Sequence, residues 1–256
     1  MDLHLKGKKA IVLGGTRGIG RAIVETLIAE GADVGFCARQ ADQVKDAVGI
    51  LKAKGTKVVG ASVDISDGAA LKKWVGEAGE ALGGIDILIS NASALSIGKD
   101  EAAWQSGLKI DIMGAVNSFD AALPYLEKAA AAHGDASFVM ISSVSAAEAQ
   151  SASAYGAIKA ALIHYAKGVA REQARKKIRA NVVSPGTVYF NGGVWQMIEK
   201  NMPDRYNAAM KANPTGRMGT PQEIANAAVF LASPLSTFTT GANLVVDGGI
   251  TQRVNF

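Results

Sequence analysis

Tyr155 and Lys159 are the two side chains whose types and spacing best suit chemistry. They stand four residues apart in a segment of helical periodicity, so a helix places both on one face. A phenol is a poor base near neutral pH, and a neighbouring ammonium favours its phenolate form. The pair therefore suits proton transfer to or from a substrate oxygen. A tyrosine and a lysine at this spacing also occur as ordinary surface pairs, so other residues must support the interpretation.

Two serines precede this pair by about a dozen residues. Ser142 and Ser143 follow an apolar run, at the predicted end of a strand. Ser143 is therefore a candidate to hydrogen-bond a substrate oxygen beside Tyr155.

A glycine-rich turn near the N-terminus predicts a dinucleotide site. Gly14, Gly18 and Gly20 follow the first predicted strand and open the first predicted helix. Glycines there permit a tight turn and a close approach of the backbone to a pyrophosphate, and the helix N-terminus supplies free N–H donors. Taken alone, such a turn is as often structural as ligand-binding.

The end of the second predicted strand indicates which dinucleotide binds. In a dinucleotide-binding fold an acidic residue there would bind the adenosine ribose. This chain has Ala38 and Arg39 instead, and Arg17 of the glycine turn is able to converge on the same position. Two guanidiniums suit a 2′-phosphate, which predicts NADP(H). The alternative is that both arginines are solvated surface residues.

Strand and helix patterns alternate along the whole chain. Strands are predicted at Lys9–Leu13, Asp33–Ala38, 57–62, 85–89, Ala136–Ile141, 178–183 and 244–246, and helices at 18–30, 41–54, 67–81, 101–131, 153–176, 194–210 and 221–231. Nearly continuous apolar strands need helices on both faces of a parallel sheet. The prediction is one α/β domain over 1–256, a Rossmann-type doubly wound sheet of about seven strands that binds ligands at its carboxyl edge.

Composition narrows the possible functions. The formal net charge is +4 with no basic arm, which disfavours a nucleic-acid partner. Cys37 is the single cysteine, so no internal disulfide is expected. The N-terminus lacks the apolar run of a signal peptide, and no segment is apolar over a membrane-spanning length. A cytoplasmic protein with no metal site and no membrane partner is expected.

With these residues in place, the sequence resembles the classical short-chain dehydrogenase/reductases over nearly its whole length, and is similar to the 3-oxoacyl-ACP reductase-like members. Further matching motifs, in chain order, are Asp64-Ile65, Ser90 to Ser93, Ser184 to Gly186, 217–221 and 240–249. The cofactor-binding residues that the glycine turn and the resemblance imply are Gly14, Thr16, Arg17, Gly18, Ile19, Gly20, Arg39, Asp64, Ile65, Asn91, Ala92, Ser93, Tyr155, Lys159, Pro185, Gly186 and Val188.

The resemblance implies roles for the catalytic residues. Tyr155 is the general acid/base of an NADP(H)-dependent oxidoreductase, and Lys159 promotes its ionisation and holds the ribose. A serine positions the substrate carbonyl. The family's usual spacing to the tyrosine fits Ser142, whereas the strand register fits Ser143, which we favour. The family's assembly implies a homotetramer or a homodimer.

Several positions depart from the family pattern. Asp111 stands where the family has a catalytic Asn; it is able to hold a relay water, and its charge would also act on Lys159. Some dienoyl-CoA reductases are similar there. Phe190 replaces a Thr that bonds the nicotinamide amide, and Leu13 replaces a Thr before the first glycine. Ser90 and Ser93 replace Asn and Gly in the turn after the fourth strand.

The segment 188–213 is the expected substrate lid. It is rich in aromatic and methionine side chains, which either line an apolar pocket or pack the segment onto the core: Phe190, Trp195, Met197, Met202, Tyr206 and Met210. The expected small-molecule substrate is a 3-oxoacyl thioester first and another ketone second. Two alternatives stay open, a catalytically idle NADP-binding regulator and a dienoyl-CoA-type reductase.

Overall fold

The centre of the molecule is a parallel β-sheet. Within residues 2–53, 55–149 and 151–254, which this computed structural model describes, the sheet has seven strands: β1 Lys9–Leu13, β2 Asp33–Ala38, β3 Val58–Ser62, β4 Ile87–Ser90, β5 Ala136–Ile141, β6 Ile178–Pro185 and β7 Asn243–Val246. Their order is β3-β2-β1-β4-β5-β6-β7. The chain first adds β2 and β3 on one side of β1, and then adds β4 to β7 on the other side. This change of side between β1 and β4 leaves a crevice at the carboxyl ends of these two strands. The predicted fold class is confirmed.

Helices cover both faces of this sheet. The α-helices of the described residues are α1 Gly18–Ala29, α2 Ala41–Lys52, α3 Gly68–Leu82, α4 Glu101–Gly107, α5 Met113–His133, α6 Ala154–Gln173, α7 Val194–Asn201, α8 Pro203–Ala212 and α9 Pro221–Ala232. Helices α3, α5 and α6 bury side chains on one face, and α1, α2 and α9 on the other. Side chains alternate along a strand, so successive residues of β1 are buried on opposite faces of the sheet. Ile11 and Leu13 face the core under α3, α5 and α6, and Ala10 and Val12 face the core under α1, α2 and α9.

One predicted helix contains a π-helical segment, and another is interrupted in the structure. The predicted helix 101–131 consists of α4, a π-helical segment at Leu108–Ile112, and α5. The predicted helix 194–210 is broken at Met202, where α7 ends and α8 begins with Pro203. Proline lacks an N–H and disfavours helical backbone in the residue before it, so Met202 leaves the helix with φ −143°. The prediction of a helix over 101–131 is thus confirmed, whereas the prediction of one continuous helix over 194–210 was wrong.

Other corrections are small. β4 begins two residues later than predicted, and β6 continues to Pro185. The end of the predicted helix 153–176 is a 3₁₀ turn, Ala174–Lys176. Among the described residues, no helix has both the length and the apolar character needed to cross a membrane.

Candidate active site

Tyr155 and Lys159 lie in the first two turns of α6. The helix brings the two side chains together on one face, with the Lys159 Nζ 5.8 Å from the centre of the Tyr155 ring. Lys159 is buried and Tyr155 is half-buried. The tyrosine ring is thus partly open to a ligand, whereas the ammonium is enclosed by protein.

Lys159 is held by two oxygens of its own chain. Its Nζ donates to the carbonyl of Ile141, at the end of β5, over 3.0 Å. It also lies 3.0 Å from Asp111 Oδ1, and both side chains of this ion pair are buried. The contact with Asp111 is ionic and lacks hydrogen-bond alignment, so Oδ1 accepts no hydrogen bond from the described residues. Asp111 therefore acts directly on Lys159, as its charge suggested.

The π-helical segment turns Asp111 into the protein. In this segment the backbone has one extra residue in the turn, and such bulges are frequent at functional sites. Asp111 Oδ2 accepts the backbone N–H of Ala94 at 2.8 Å, which ties the segment to the loop after β4. Sequence reasoning singled out Asp111 but missed this backbone feature. The acidic residue between Ile110 and Ile112 drew attention to Asp111 itself, but it does not indicate a π-helical backbone.

The adjacent serines use their hydroxyls differently. Ser142 Oγ is buried and donates to the carbonyl of Lys159 at 2.8 Å. Its hydroxyl proton is therefore already hydrogen-bonded to the backbone of α6. Ser143 Oγ accepts the N–H of Ser145 at 3.1 Å. Within the described residues the Ser143 hydroxyl donates to no protein group, which leaves that proton for a ligand.

The glycine turn is closely packed. Gly14 has φ +79°, a conformation that favours glycine, and its carbonyl accepts Asn91 Nδ2 at 3.0 Å. A Cβ built on Gly20 would lie 1.9 Å from the Gly14 carbonyl oxygen, so no other residue fits there. Arg17 precedes α1 without capping it through its side chain, so the first N–H groups of the helix have no such partner.

The expected lid, residues 188–213, contacts this turn through Phe190 and Gly192. A Cβ on Gly18 would lie 2.5 Å from Phe190 Cζ, and one on Gly193 would lie 2.9 Å from Phe190 Cε1. Arg17 Nη1 also donates to the Gly192 carbonyl at 3.5 Å. Of the candidate lid side chains, Phe190 thus packs on the glycine turn, whereas Met197 and Met202 are exposed.

Arg17 and Arg39 have different neighbours. Arg17 contacts the lid, whereas Arg39 lies close enough to Asp64 for its charge to act on that carboxyl. Hydrogen bonds from Ser66 to Asp64, and secondarily the Arg39 charge, hold the pKa of Asp64 below its usual value. These contacts do not test whether both guanidiniums reach one 2′-phosphate, so the convergence of the two arginines stays a prediction.

The other predicted cofactor residues lie at or after the carboxyl ends of strands: Thr16, Ile19, Ile65, Ala92, Ser93, Pro185, Gly186 and Val188. Gly186 allows β6 to approach the end of β7, because a Cβ there would lie 2.8 Å from the Asp247 Cα. The fold therefore gathers the candidate residues along one edge of the sheet, around the crevice between β1 and β4. Among the described residues, no group of acidic, histidine and cysteine side chains could hold a metal ion.

Comparison with known proteins gives consistent matches over the whole length. The family model for enoyl-(acyl carrier protein) reductase matches residues 14–251. Isoepoxydon dehydrogenase of Penicillium expansum is 39% identical over 257 residues, which cover 98% of each chain. 3-Oxoacyl-[acyl-carrier-protein] reductase of Chlamydia pneumoniae is 32% identical over 98% of this chain and 100% of its own. The solved structure of L-sorbose reductase from Gluconobacter frateurii, complexed with NADPH and L-sorbose, has a TM-score of 0.89 at 29% identity, covering 99% of this chain and 100% of that one.

Proposed function

The chain belongs to the classical short-chain dehydrogenase/reductases, and from this membership we propose that it is an NADP(H)-dependent oxidoreductase acting on a carbonyl or secondary alcohol. The observation that carries this proposal is the arrangement of Tyr155 and Lys159 on one face of α6, beside the serine turn that follows β5. One NADP(H)-binding domain over 1–256 would hold all of these groups.

The glycine turn fits a dinucleotide. The N–H groups of residues 18–20 precede the first backbone bond of α1, from Arg21 to Arg17, and are available to a diphosphate. Arg39, Arg17 or both would bind the 2′-phosphate. Bound NADP(H) supplies or accepts the hydride. Because the Phe190 ring lies on Gly18, we expect it to move when a diphosphate binds here.

The protein's own groups handle the proton. In reduction the Ser143 hydroxyl donates a hydrogen bond to the substrate carbonyl, and the Tyr155 hydroxyl gives its proton to the same oxygen. In oxidation the Tyr155 phenolate takes that proton back. The Lys159 ammonium stabilises the phenolate, while Asp111 and the Ile141 carbonyl hold the ammonium in position. Ser142 has a structural role, since its proton is already bound to α6.

The proposed substrate is a 3-oxoacyl thioester first, and another ketone second. Support comes from the similarity to the 3-oxoacyl reductase of Chlamydia pneumoniae and from exposed Met197 and Met202, whose flexible side chains suit an apolar ligand. A different reaction, reduction of the carbon–carbon double bond of an enoyl or dienoyl thioester, is the alternative, favoured by Asp111 and by the name of the matched family model.

We also propose that the enzyme is a cytoplasmic homotetramer or homodimer. Small side chains are exposed along α6, at Ala157, Ala161 and Gly168, where a second helix is able to approach closely. A fully exposed Phe238 lies near the edge strand β7, which also suits contact with another copy. Sedimentation analysis measures the assembly, and a monomer at micromolar concentration would contradict it.

The experiment follows NADPH and NADH oxidation with ketones, 3-oxoacyl thioesters and enoyl thioesters. Tyr155→Phe is compared with the natural protein and with Tyr165→Phe, the same change on the same helix. We expect Tyr155→Phe to lower kcat at least about a hundredfold, the scale of general acid/base catalysis, while NADPH still binds. Tyr165→Phe should retain turnover within about twofold, the level of a substitution outside the reacting groups. Equal loss of cofactor binding and turnover in Tyr155→Phe would refute its role.

A further inference from the structure

Helix α6 packs closely against the 3₁₀ turn Val144–Ala146 at Gly156. A Cβ built on Gly156 would lie 2.7 Å from the carbonyl oxygen of Ser145. That oxygen belongs to the backbone and cannot rotate away as a side chain would. Any residue larger than glycine would therefore force the helix and the turn apart.

The turn is fixed to the candidate substrate-binding serine. Ser145 donates its N–H to Ser143 Oγ at 3.1 Å, and Ala146 donates its N–H to the Ser143 carbonyl at 3.0 Å. A displaced turn would carry Ser143 with it. The next residue towards the N-terminus from Gly156 is Tyr155, so a displaced helix would move the tyrosine instead.

One turn further along α6, Lys159 is bonded to Ser142, which lies two residues before the 3₁₀ turn begins. There Ser142 Oγ donates to the Lys159 carbonyl at 2.8 Å. The contact between α6 and residues 142–146 is thus held at one end by this hydrogen bond, and at the other end it is close because Gly156 has no side chain. A Cβ at 156 would open only the end that carries Tyr155 and Ser143.

We propose that Gly156 is a positioning residue for the reaction, because it sets the separation of the Tyr155 and Ser143 hydroxyls that must meet one substrate oxygen. The proposal rests on the function proposed above. Helical propensity does not explain the residue, since glycine weakens a helix relative to alanine. Small misplacements of reacting groups cost large factors in rate.

The test is Gly156→Ala, with Gly76→Ala in α3 as the matched control. No described atom lies within 4 Å of a Cβ built on Gly76, so the same substitution meets no obstacle there. We expect Gly156→Ala to lower kcat by about tenfold to a hundredfold, with KM and the NADPH Kd within about twofold. Gly76→Ala should keep kcat within about twofold and melt no lower than the natural protein.

A double-mutant cycle with Ser143→Ala adds a measurement that a merely structural role would not move. If Gly156→Ala already separates the serine from the tyrosine, removal of the Ser143 hydroxyl costs far less in that background than in the natural protein.

Three results overturn the proposal: wild-type kcat in Gly156→Ala, full additivity in the cycle, or joint loss of NADPH binding, thermal stability and turnover. An inactive natural protein would instead refute the proposed function.

Discussion

Asp111→Asn removes one charge from the buried ion pair with Lys159 and leaves the shape of the side chain almost unchanged. The ammonium would keep its hydrogen bond to the Ile141 carbonyl but lose the carboxylate 3.0 Å away. The amide oxygen of Asn can still accept the N–H of Ala94. The substitution therefore keeps the bond to Ala94, but it removes the charge of Asp111 and places the amide NH2 where Oδ1 now faces the ammonium.

The expected loss of stability follows from the separation and the burial. At 3.0 Å and an effective dielectric constant of about 20, the attraction is about 5.5 kcal/mol. Removing one partner of a buried pair costs about 3–5 kcal/mol. Because Asn retains the bond to Ala94, we expect a loss near 3 kcal/mol. For a chain of 256 residues this lowers the Tm by about 6–12 °C.

Urea and thermal unfolding measure the effect, with Glu127→Gln as the control. Glu127 and Lys176 are 2.7 Å apart, but their side chains are 42% and 54% exposed. Solvent screening limits that pair to about 0–1 kcal/mol. The reasoning attributes the larger loss of stability to burial of the Asp111–Lys159 pair. Equal destabilisation by the two substitutions would therefore refute it.

The same variant should change the reaction. Without the carboxylate, the ammonium beside the Tyr155 ring is no longer balanced by a negative charge, so it attracts the charge that develops on the tyrosine and substrate oxygens during oxidation more strongly. Asp111→Asn should then oxidise alcohols faster than the natural protein near neutral pH, despite its lower stability. A rate reduced in parallel with stability, at a temperature where both proteins are folded, would contradict this expectation.

Two further predictions concern the cofactor site and the core. Replacing Arg17 and Arg39 together by Ser should weaken NADPH binding by at least about tenfold, the scale of one charge-assisted hydrogen bond, and change NADH binding by no more than about threefold. Fluorescence titration measures both affinities. An unchanged preference for NADPH would remove the basis for assigning NADP(H). Burial raises the pKa of the Cys37 thiol to about 12, so a thiol reagent at mildly alkaline pH should label it only after unfolding in guanidinium. Rapid labelling of the native protein would mean that β2 is not packed as described.

The strands were well predicted because their signal is local. β1, β2 and β5 have the predicted bounds, since each is a short apolar run buried on both faces. The break before Pro203 was also readable from the sequence, because proline restricts the residue before it, but the helical periodicity on either side concealed it.

The contacts inside the site depend on tertiary structure and were less predictable. The spacing of Tyr155 and Lys159 sufficed to place them on one face. The π-helical segment around Asp111 could not be inferred, because a change of backbone hydrogen bonding leaves no periodic signal. The packing of Phe190 on Gly18 joins residues far apart in the chain, so the sequence showed only that a threonine expected from the family was missing.

The most direct test of the account is hydride transfer itself. Purified protein is incubated with a ketone that it turns over and with NADPH carrying two deuterium atoms at C4 of the nicotinamide, and the alcohol product is examined by mass spectrometry. We predict one deuterium bound to the carbinol carbon and none when Tyr155→Phe replaces the natural protein over the same period. Product without deuterium, or deuterated product formed equally fast by the variant, would contradict the account.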